Sequence, residues 1–499
     1  MNKKAEKISD AVGRLDEEII TKAEEKRHIS DVKKGSKGKF AKKIWIPAVS
    51  AAACAGILCG AALMGGNSSP GLVPVLMETL AEAKYPEAAH YPDESLVNGD
   101  YGEAWDKMYE PWSQDRWNRY EAYKTLDVDI LGEFYKSTCE TFLTDSNEKN
   151  RVYSPVNVYM ALSMLAELTD GQSRAQILEL AGAESIEELR QQAGNMWKAN
   201  YRNDGATTSI LANSIWLDSS AEFNSETLNR LAEEYFASAY RGDLASEDTL
   251  RALRDWLNKQ TDGLLEDAVN GIELPPQTVM ALCSTICFHA KWDQEFNPQN
   301  NDFKVFHGSE GDIETEFMNN TQEYGPYYWG KDYGAISLRF ADGGRMWLIL
   351  PDEGKTVEDL LRDGEYMDMV SGSSGSNEWE NYKILKVNCS VPKFDVSSDI
   401  DLTKGLNNLG VSDVFNSYKA DFTPLSEQAE GLAIGQAEHA ARVVIDEQGC
   451  TGVAFTVMAA AGAAMPPEEE IDFVLDRPFL FVVESDGNQP LFVGTVYTP

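Results

Sequence analysis

The chain carries a formal net charge of −37, yet residues 449–465 contain neither a charged side chain nor a proline. Such a segment can join a β-sheet, because every residue keeps its backbone N–H for the ladder and no ion has to be buried. At a period of two, one face would carry only small or apolar side chains. These are Cys450, Gly452, Ala454, Thr456 and Met458. The other face would carry Thr451, Val453, Phe455 and Val457.

The second half of this segment has a different character. Ala459–Ala464 is rich in alanine and glycine, and Pro466 and Pro467 bar continuation of a strand. The segment therefore combines the chemistry of a strand with that of an exposed loop. An ordinary strand followed by a turn is the simpler interpretation, and the residues of the segment alone do not exclude it.

Composition indicates a globular protein and argues against several classes of function. The 499 residues are 43% hydrophobic and 25% charged, which is enough to bury a sizeable core. Residues 1–43 carry 13 Lys/Arg against 8 Asp/Glu, or +5, which leaves −42 for the remainder. The body of the protein should therefore repel nucleic acid. Seven irregularly spaced cysteines and five scattered histidines favour buried thiols and argue against a disulfide framework, a metal or a cofactor.

Residues 44–66 form an uncharged stretch directly after a lysine-rich run. This length is sufficient to cross a bilayer core of about 30 Å. The lysines favour a cytoplasmic tail, residues 1–43, and an external C-terminus. We therefore predict a single-pass membrane anchor with an extracellular domain. A cleaved secretory signal, giving a secreted protein, and a buried helix are the alternatives.

The organisation changes twice after this stretch. Residues 67–119 are rich in proline, glycine, acids and aromatics, and we predict a linker whose aromatic residues lie at the membrane interface or pack on the following domain. From residue 120 onward, helical and strand-length patterns mix without strict alternation. This order predicts an α+β domain at 120–499 with a largely antiparallel sheet. The chain has no Gly-x-Ser-x-Gly, His-Glu-x-x-His or phosphate-loop motif, so we do not expect an enzyme.

Several motifs of this domain resemble the serpin family, in the family's order. They are NRVYSP at 150–155, LANSIWL at 211–217, DWLNKQTDGLLEDAV at 255–269, CSTICFHAKWDQEF at 283–296, VPKF at 391–394, LGVSDVF at 409–415, DRPFLFVV at 476–483 and LFVGTVYTP at 491–499. The resemblance implies a metastable fold of about nine helices and three mainly antiparallel sheets with an exposed reactive centre loop, here about 447–470. A membrane-anchored or secreted bacterial-type member is the form that we expect.

The resemblance also implies a mechanism. A serine protease cleaves the loop and remains trapped as a covalent acyl-enzyme when the severed loop inserts as an extra central strand. Counted by the family's spacing, the cleaved bond joins Ala463 and Ala464, or lies within two residues of it, which suits an elastase-like protease with a small apolar pocket. The partner is then that protease, and the inhibitor acts as a monomer. A non-inhibitory serpin that serves as a carrier, binding module or protease substrate is the alternative.

Further residues take roles only through the resemblance. Glu447, Gly449 and Cys450 form the hinge, and Gly452, Ala454 and Thr456 insert after it. Ser154, Ser284 and His439 stand at shutter positions beneath the centre of the large sheet, and Trp292 stands at the breach, where the loop first inserts. Two residues depart from the family's usual choice at the shutter, Ser284 in place of asparagine and Asn157 in place of serine. Val453 and Phe455 are bulkier than usual for the loop.

Overall fold

Uncharged strand-length runs of the sequence form the centre of a nine-stranded sheet. The computed structural model describes residues 53–57, 77–92, 102–144, 146–341, 343–372, 379–450, 467 and 469–499, all within one compact unit, Ser50–Pro499. Across the first sheet the order is β13 (Phe394–Asp401), β14 (Glu438–Ile445), β1 (Ala53–Ile57), β7 (Met280–Lys291), β5 (Thr208–Asp218), β6 (Ala237–Gly242) and β2 (Glu78–Ala81). Two short strands, β4 (Arg202–Asn203) and β15 (Gly449–Cys450), pair with β5 and β7.

The remaining strands form a second hydrogen-bonded network. Its order is β16 (Glu470–Val474), β12 (Tyr382–Pro392), β9 (Gly311–Trp329), β10 (Tyr333–Arg339), β11 (Arg345–Pro351), β17 (Phe479–Glu484), β18 (Pro490–Val496) and β3 (Arg151–Tyr153), with β8 (Asp302–Gly308) beside β9. The long strand β9 pairs with β8 through residues 311–317, with β12 through residues 317–328 and with β10 through its last three residues. Only the β12–β16 and β5–β6 pairs are parallel among the described strands. The predicted fold class, α+β with mainly antiparallel sheets, is confirmed.

Eleven α-helices accompany these sheets in the described part of the chain, against about nine implied by the resemblance. Several begin at side-chain caps that the sequence provides, such as Ser154 before Pro155 and the Thr356 capping box. The helices are α1 (Glu103–Tyr123), α2 (Val128–Leu143), α3 (Pro155–Leu168), α4 (Gly171–Ala181), α5 (Ile186–Asn200), α6 (Ser225–Glu234), α7 (Glu247–Gln260), α8 (Glu266–Gly271), α9 (Val357–Asp363), α10 (Glu365–Gly372) and α11 (Thr403–Asn408).

Helix α3 lies at the centre of the main core. All of its residues except Ala161 are buried, and it packs against β7 of the first sheet and β18 of the second. A smaller apolar cluster covers the opposite face of the first sheet, where Leu253 and Leu257 of α7 pack with Cys283 and Cys287 of β7. Both faces of β7 are therefore enclosed by apolar side chains.

The described part of the predicted linker packs on the following domain. Tyr85 lies in a group of near-parallel rings with Trp197 and Phe236, at centroid distances of 5.6 and 6.3 Å. The indole Nε1 of Trp112 donates to Asp204 Oδ2 at 2.9 Å. Tyr85 and Trp112 therefore pack on the domain, whereas Tyr109 and Trp117 of the same segment are exposed.

The predicted membrane localisation is wrong. No helix in the described residues is long and apolar enough to cross a membrane. At the middle of the predicted 44–66 span, Ala53–Ile57 instead form strand β1, which pairs with β14 on one side and with β7 on the other. The other residues of that span and the tail 1–43 lie outside the described residues.

Candidate functional site

The uncharged segment is held at both of its ends. On the N-terminal side, Gly449 pairs with Lys291 and Cys450 with Ala290 at the end of β7. On the C-terminal side, Glu470–Val474 form β16, parallel to β12. Residues 451–466, between these two anchors, lie outside the described residues, and with them the predicted inserting positions Gly452, Ala454 and Thr456 and the predicted reactive bond between Ala463 and Ala464.

Trp292 organises the turn that precedes the hinge. Its backbone N–H donates to the carbonyl of Gln448 at 3.0 Å, and its indole Nε1 donates to the carbonyl of Asp446 at 2.9 Å. Its ring stacks on Phe340 with centroids 5.2 Å apart and meets Phe296 edge-on. The side chain is 3% exposed. Trp292 thus fixes the backbone at the point where the loop leaves β14.

Glu447 is tied to the body of the protein by a charge network. Its Oε1 lies 2.7 Å from Lys393 Nζ and accepts from Asn301 Nδ2 at 2.6 Å, while Lys393 also pairs with Glu316 at 2.9 Å. Partial burial alone would raise the pKa of Glu447, but the hydrogen bonds from Lys393 and Asn301 outweigh it and hold that pKa below the ordinary value. The hinge therefore begins at an ionised and anchored carboxylate.

Gly449 approaches β7 too closely for any side chain. A Cβ at this position would lie against the carbonyl oxygen of Ala290 and 2.7 Å from the Cα of Lys291. The next residue, Cys450, is fully buried in the main core cluster, and this burial raises the pKa of its thiol. The start of the segment is thus already paired with the sheet.

We expect Gly449→Ala to release this pairing. The added methyl forces the backbone away from Ala290, at a cost of about 1–3 kcal/mol in the free energy of unfolding. Cys450 then becomes accessible, which a thiol reagent detects as one additional fast-reacting cysteine in the native protein. Gly132→Ala is the matched control, because a Cβ there meets no atom within 4 Å inside α2. Equal thiol reactivity in the two variants would contradict the tight approach.

A second polar cluster lies beneath the sheet, where α3 begins. The backbone N–H of Ser154 donates to His439 Nε2 at 3.0 Å, and Ser154 Oγ accepts from the N–H of Asn157 at 3.3 Å. Asn157 Nδ2 donates to the carbonyl of Ser284 at 3.1 Å, and Ser284 Oγ donates back to Asn157 Oδ1. This cluster therefore links helix α3 to both β7 and β14.

His439 is neutral in this cluster. It is fully buried, and burial lowers its pKa to about 3. Because Nε2 accepts from Ser154, the proton resides on Nδ1. Tyr153 meets the imidazole edge-on at 5.2 Å. His439 in β14 and Ser284 in β7 are both partners of Ile57 in β1, so these two predicted shutter positions face each other across one intervening strand.

The structure brings together some of the predicted residues and adds others. Ser154, Ser284 and His439 meet in one cluster, and Trp292, Glu447 and Gly449 meet in another. No sequence pattern marked Asn301, Phe340 or Tyr153 as part of these clusters. Lys393 belongs to the VPKF motif at 391–394, but no sequence pattern indicated that it pairs with Glu447.

Comparisons with known proteins agree with this architecture. The family model described as Serpin (serine protease inhibitor) matches residues 132–499. The chain is similar to the leukocyte elastase inhibitor of Sus scrofa, with 27% identity over 368 residues, 72% of this chain and 95% of that protein. It is also 27% identical to alpha-1-antiproteinase of Rattus norvegicus over 379 residues, 74% of this chain and 88% of that protein. These relatives do not support the predicted bacterial origin.

Solved structures share the fold at lower identity. The thermophilic serpin tengpin in its native state matches with a TM-score of 0.66 and 23% identity, covering 85% of this chain and 100% of that chain. Thyroxine-binding globulin in complex with thyroxine matches with a TM-score of 0.61 and 21% identity, covering 74% and 97%. These likenesses show a shared fold, and the family match over residues 132–499 shows that the chain belongs to the serpin family.

Proposed function

We propose that the chain inhibits serine proteases with a small apolar primary pocket, trapping them after cleavage near Ala463–Ala464. The protease serine would form an ester with the carbonyl of Ala463, while the amine of Ala464 leaves with a proton. Insertion of the cleaved loop would follow before water hydrolyses the ester. The similarity to a leukocyte elastase inhibitor supports the class of target.

The observation that carries this proposal is the register of the hinge. Gly449 and Cys450 already pair with β7. If the following residues continue in this register, the small side chains of one face lie opposite buried, inward-facing residues of β7. These pairs are Gly452 with Phe288, Ala454 with Ile286 and Thr456 with Ser284. Every position available to the loop in this register favours an uncharged side chain.

The same register bears on the two bulky residues of the loop. Val453 would lie opposite Cys287, and Phe455 opposite Thr285. On that face of the sheet, Cys287 packs with Leu253 and Leu257 in the second apolar cluster. Val453 and Phe455 would thus approach apolar side chains, which supports inhibition over the non-inhibitory alternative. The bulk of Phe455 remains the specific feature in favour of a carrier or substrate role.

A trapping assay tests the proposal. Full-length protein is mixed with an elastase-like protease and separated on a denaturing gel. We expect an adduct at the summed mass and a released peptide that begins at Ala464 or within two residues of it. A trypsin-like protease is the matched control, because residues 448–467 contain no lysine or arginine. Clean cleavage with full recovery of protease activity would instead identify the non-inhibitory alternative.

A further inference from the structure

Strand β1 occupies the centre of the first sheet. Ala53–Ile57 run antiparallel to both neighbours, so that Cys54 pairs with Cys287 of β7 and with Arg442 of β14. All other strands of this sheet except β2 come from residues 202–450. Residues before the predicted domain thus supply an inner strand of this sheet. About 150 residues separate β1 from β5, the first long strand of the same sheet along the chain.

In the first sheet, β1 lies where the reactive centre loop would lie after insertion. Gly449 and Cys450 pair with Lys291 and Ala290, so continuation of the loop would put Gly452 opposite Phe288 and Thr456 opposite Ser284. In the structure, Ala53 pairs with Phe288 and Ile57 with Ser284. Residues 53–57 therefore take, one for one and in the same direction, the positions that residues 452–456 would take if the loop inserted in this register. A position in a β-ladder accommodates only one strand.

The composition of β1 suits this place. Its sequence ACAGI has no charge and no proline, the same property that allows residues 449–465 to join a sheet. Cys54 and Gly56 are smaller than Val453 and Phe455, the loop residues that would take the same positions on insertion. The segment can therefore fill the gap between β7 and β14 without a cost for burying an ion.

The strand fills only part of the gap. A cavity of about 320 Å³ lies between the first residues of β7 and residues 432–437, which precede β14. Its walls include Met280 and Leu282 of β7 and Ala437 just before β14. A loop inserted in the register of Cys450 would bring residues 458–460 opposite Met280–Leu282, so its full length can reach space that β1 leaves open. Insertion of the whole loop therefore offers more contacts than β1 alone.

We propose that Ala53–Ile57 is a built-in competitor of the reactive centre loop, which must leave the gap between β7 and β14 before a protease can be trapped. The inference rests on the proposed function for its effect on trapping. The placement of the strand itself can be tested separately. Release of β1 by a partner or by proteolysis between residue 57 and the domain would increase the rate of inhibition.

A cysteine pair provides the direct test of placement. Cys54 and Cys287 are cross-strand partners, and the Cα separation of such partners, about 4.5–5.5 Å, lies within the range of disulfides. We expect treatment of the full-length protein with copper phenanthroline to link Cys54 to Cys287, as shown by mass spectrometry of the digest. Absence of this linked peptide, with Cys54 modified or linked elsewhere, would overturn the inference whether or not the protein traps proteases.

The same disulfide tests the effect on trapping. The oxidised protein should lose the covalent adduct with an elastase-like protease, and dithiothreitol should restore it. Cys54→Ser is the matched control, since it cannot form the link and should trap after either treatment. Trapping by the linked protein at the rate of the reduced protein would overturn the inference. A linked peptide without trapping by any variant would support the placement of β1 and refute the proposed function.

A pair of substitutions measures the competition without oxidation. Ala55→Pro removes a ladder N–H at the middle of β1, whereas Ala55→Ser keeps it. We expect Ala55→Pro to raise the second-order rate constant of trapping by about tenfold, equivalent to ~1.4 kcal/mol, and Ala55→Ser to leave it unchanged. Equal rate constants for the two variants would refute the competition.

Discussion

Ala454→Arg should convert the protein from an inhibitor into a substrate of its target protease. In the register of the hinge, residue 454 would lie opposite Ile286, which is fully buried in the main core cluster. An unpaired charge buried there costs about 3–5 kcal/mol, which slows insertion enough for water to hydrolyse the acyl-enzyme first. The covalent adduct on a denaturing gel should fall by a factor of at least ~100, the equivalent of ~3 kcal/mol, while cleavage of the loop continues.

Ala454→Ser is the matched control for this experiment, because its side chain is small and uncharged. It should form the adduct in the same proportion as the unmodified protein. Undiminished trapping by Ala454→Arg would contradict insertion in this register. Loss of loop cleavage in Ala454→Arg would indicate that the substitution disturbs recognition by the protease, and the released peptide distinguishes that outcome from failed insertion.

The sequence predicted the fold class, and it marked several residues that meet in the structure, because local patterns carry that information. Ser154 and Pro155 mark the start of α3, and that helix begins there. The quoted segment CSTICFHAKWDQEF contains most of β7 together with Trp292, and both lie where the family order implies. Such motifs combine residue type with position along the chain, so the elements could be placed without knowledge of their contacts.

The segment 44–66 illustrates what a local pattern cannot decide. Lack of charge is required of a membrane helix, but it is equally required of a strand enclosed on both faces of a sheet. The choice depends on whether two open strand edges are available elsewhere in the chain. Those edges belong to β7 and β14, which begin more than 210 residues further along the chain, and no pattern within residues 44–66 indicates that they are available.

The predicted shutter residues show, for single side chains, that a local pattern does not indicate contacts between distant parts of the chain. Read separately, Ser284 and Asn157 are two departures from the family's usual residues. In the structure they hydrogen-bond to each other. The amide stands on α3, where the family usually has a hydroxyl, and the hydroxyl stands on β7, where the family usually has an amide. The polar link between α3 and β7 is therefore retained. Only the contact across 127 residues reveals that the two departures compensate.

His439→Gln should remove most of the loss of stability that we expect of the protein in weak acid. The imidazole titrates with a pKa of about 3 in the folded protein and about 6.5 when unfolded. Between these values the unfolded chain binds the additional proton, so stability is complete above about pH 6.5 and falls as the pH decreases. The contribution is about 1.4 kcal/mol for each pH unit, or ~2 kcal/mol at pH 5. Urea unfolding at a series of pH values measures it.

The glutamine variant separates titration from packing. Its Oε1 can accept the hydrogen bond from the N–H of Ser154, so the cluster beneath the sheet keeps its acceptor but loses the titrating group. His307→Asn is the matched control. His307 is exposed beside Asp312, which raises its pKa, so protonation of His307 stabilises the folded protein at low pH. This contribution to stability has the opposite sign to that of His439 and is lost as the pH rises. A steep decrease in stability between pH 6.5 and 5 that persists in His439→Gln would assign the acid sensitivity to other groups and contradict a neutral, buried His439.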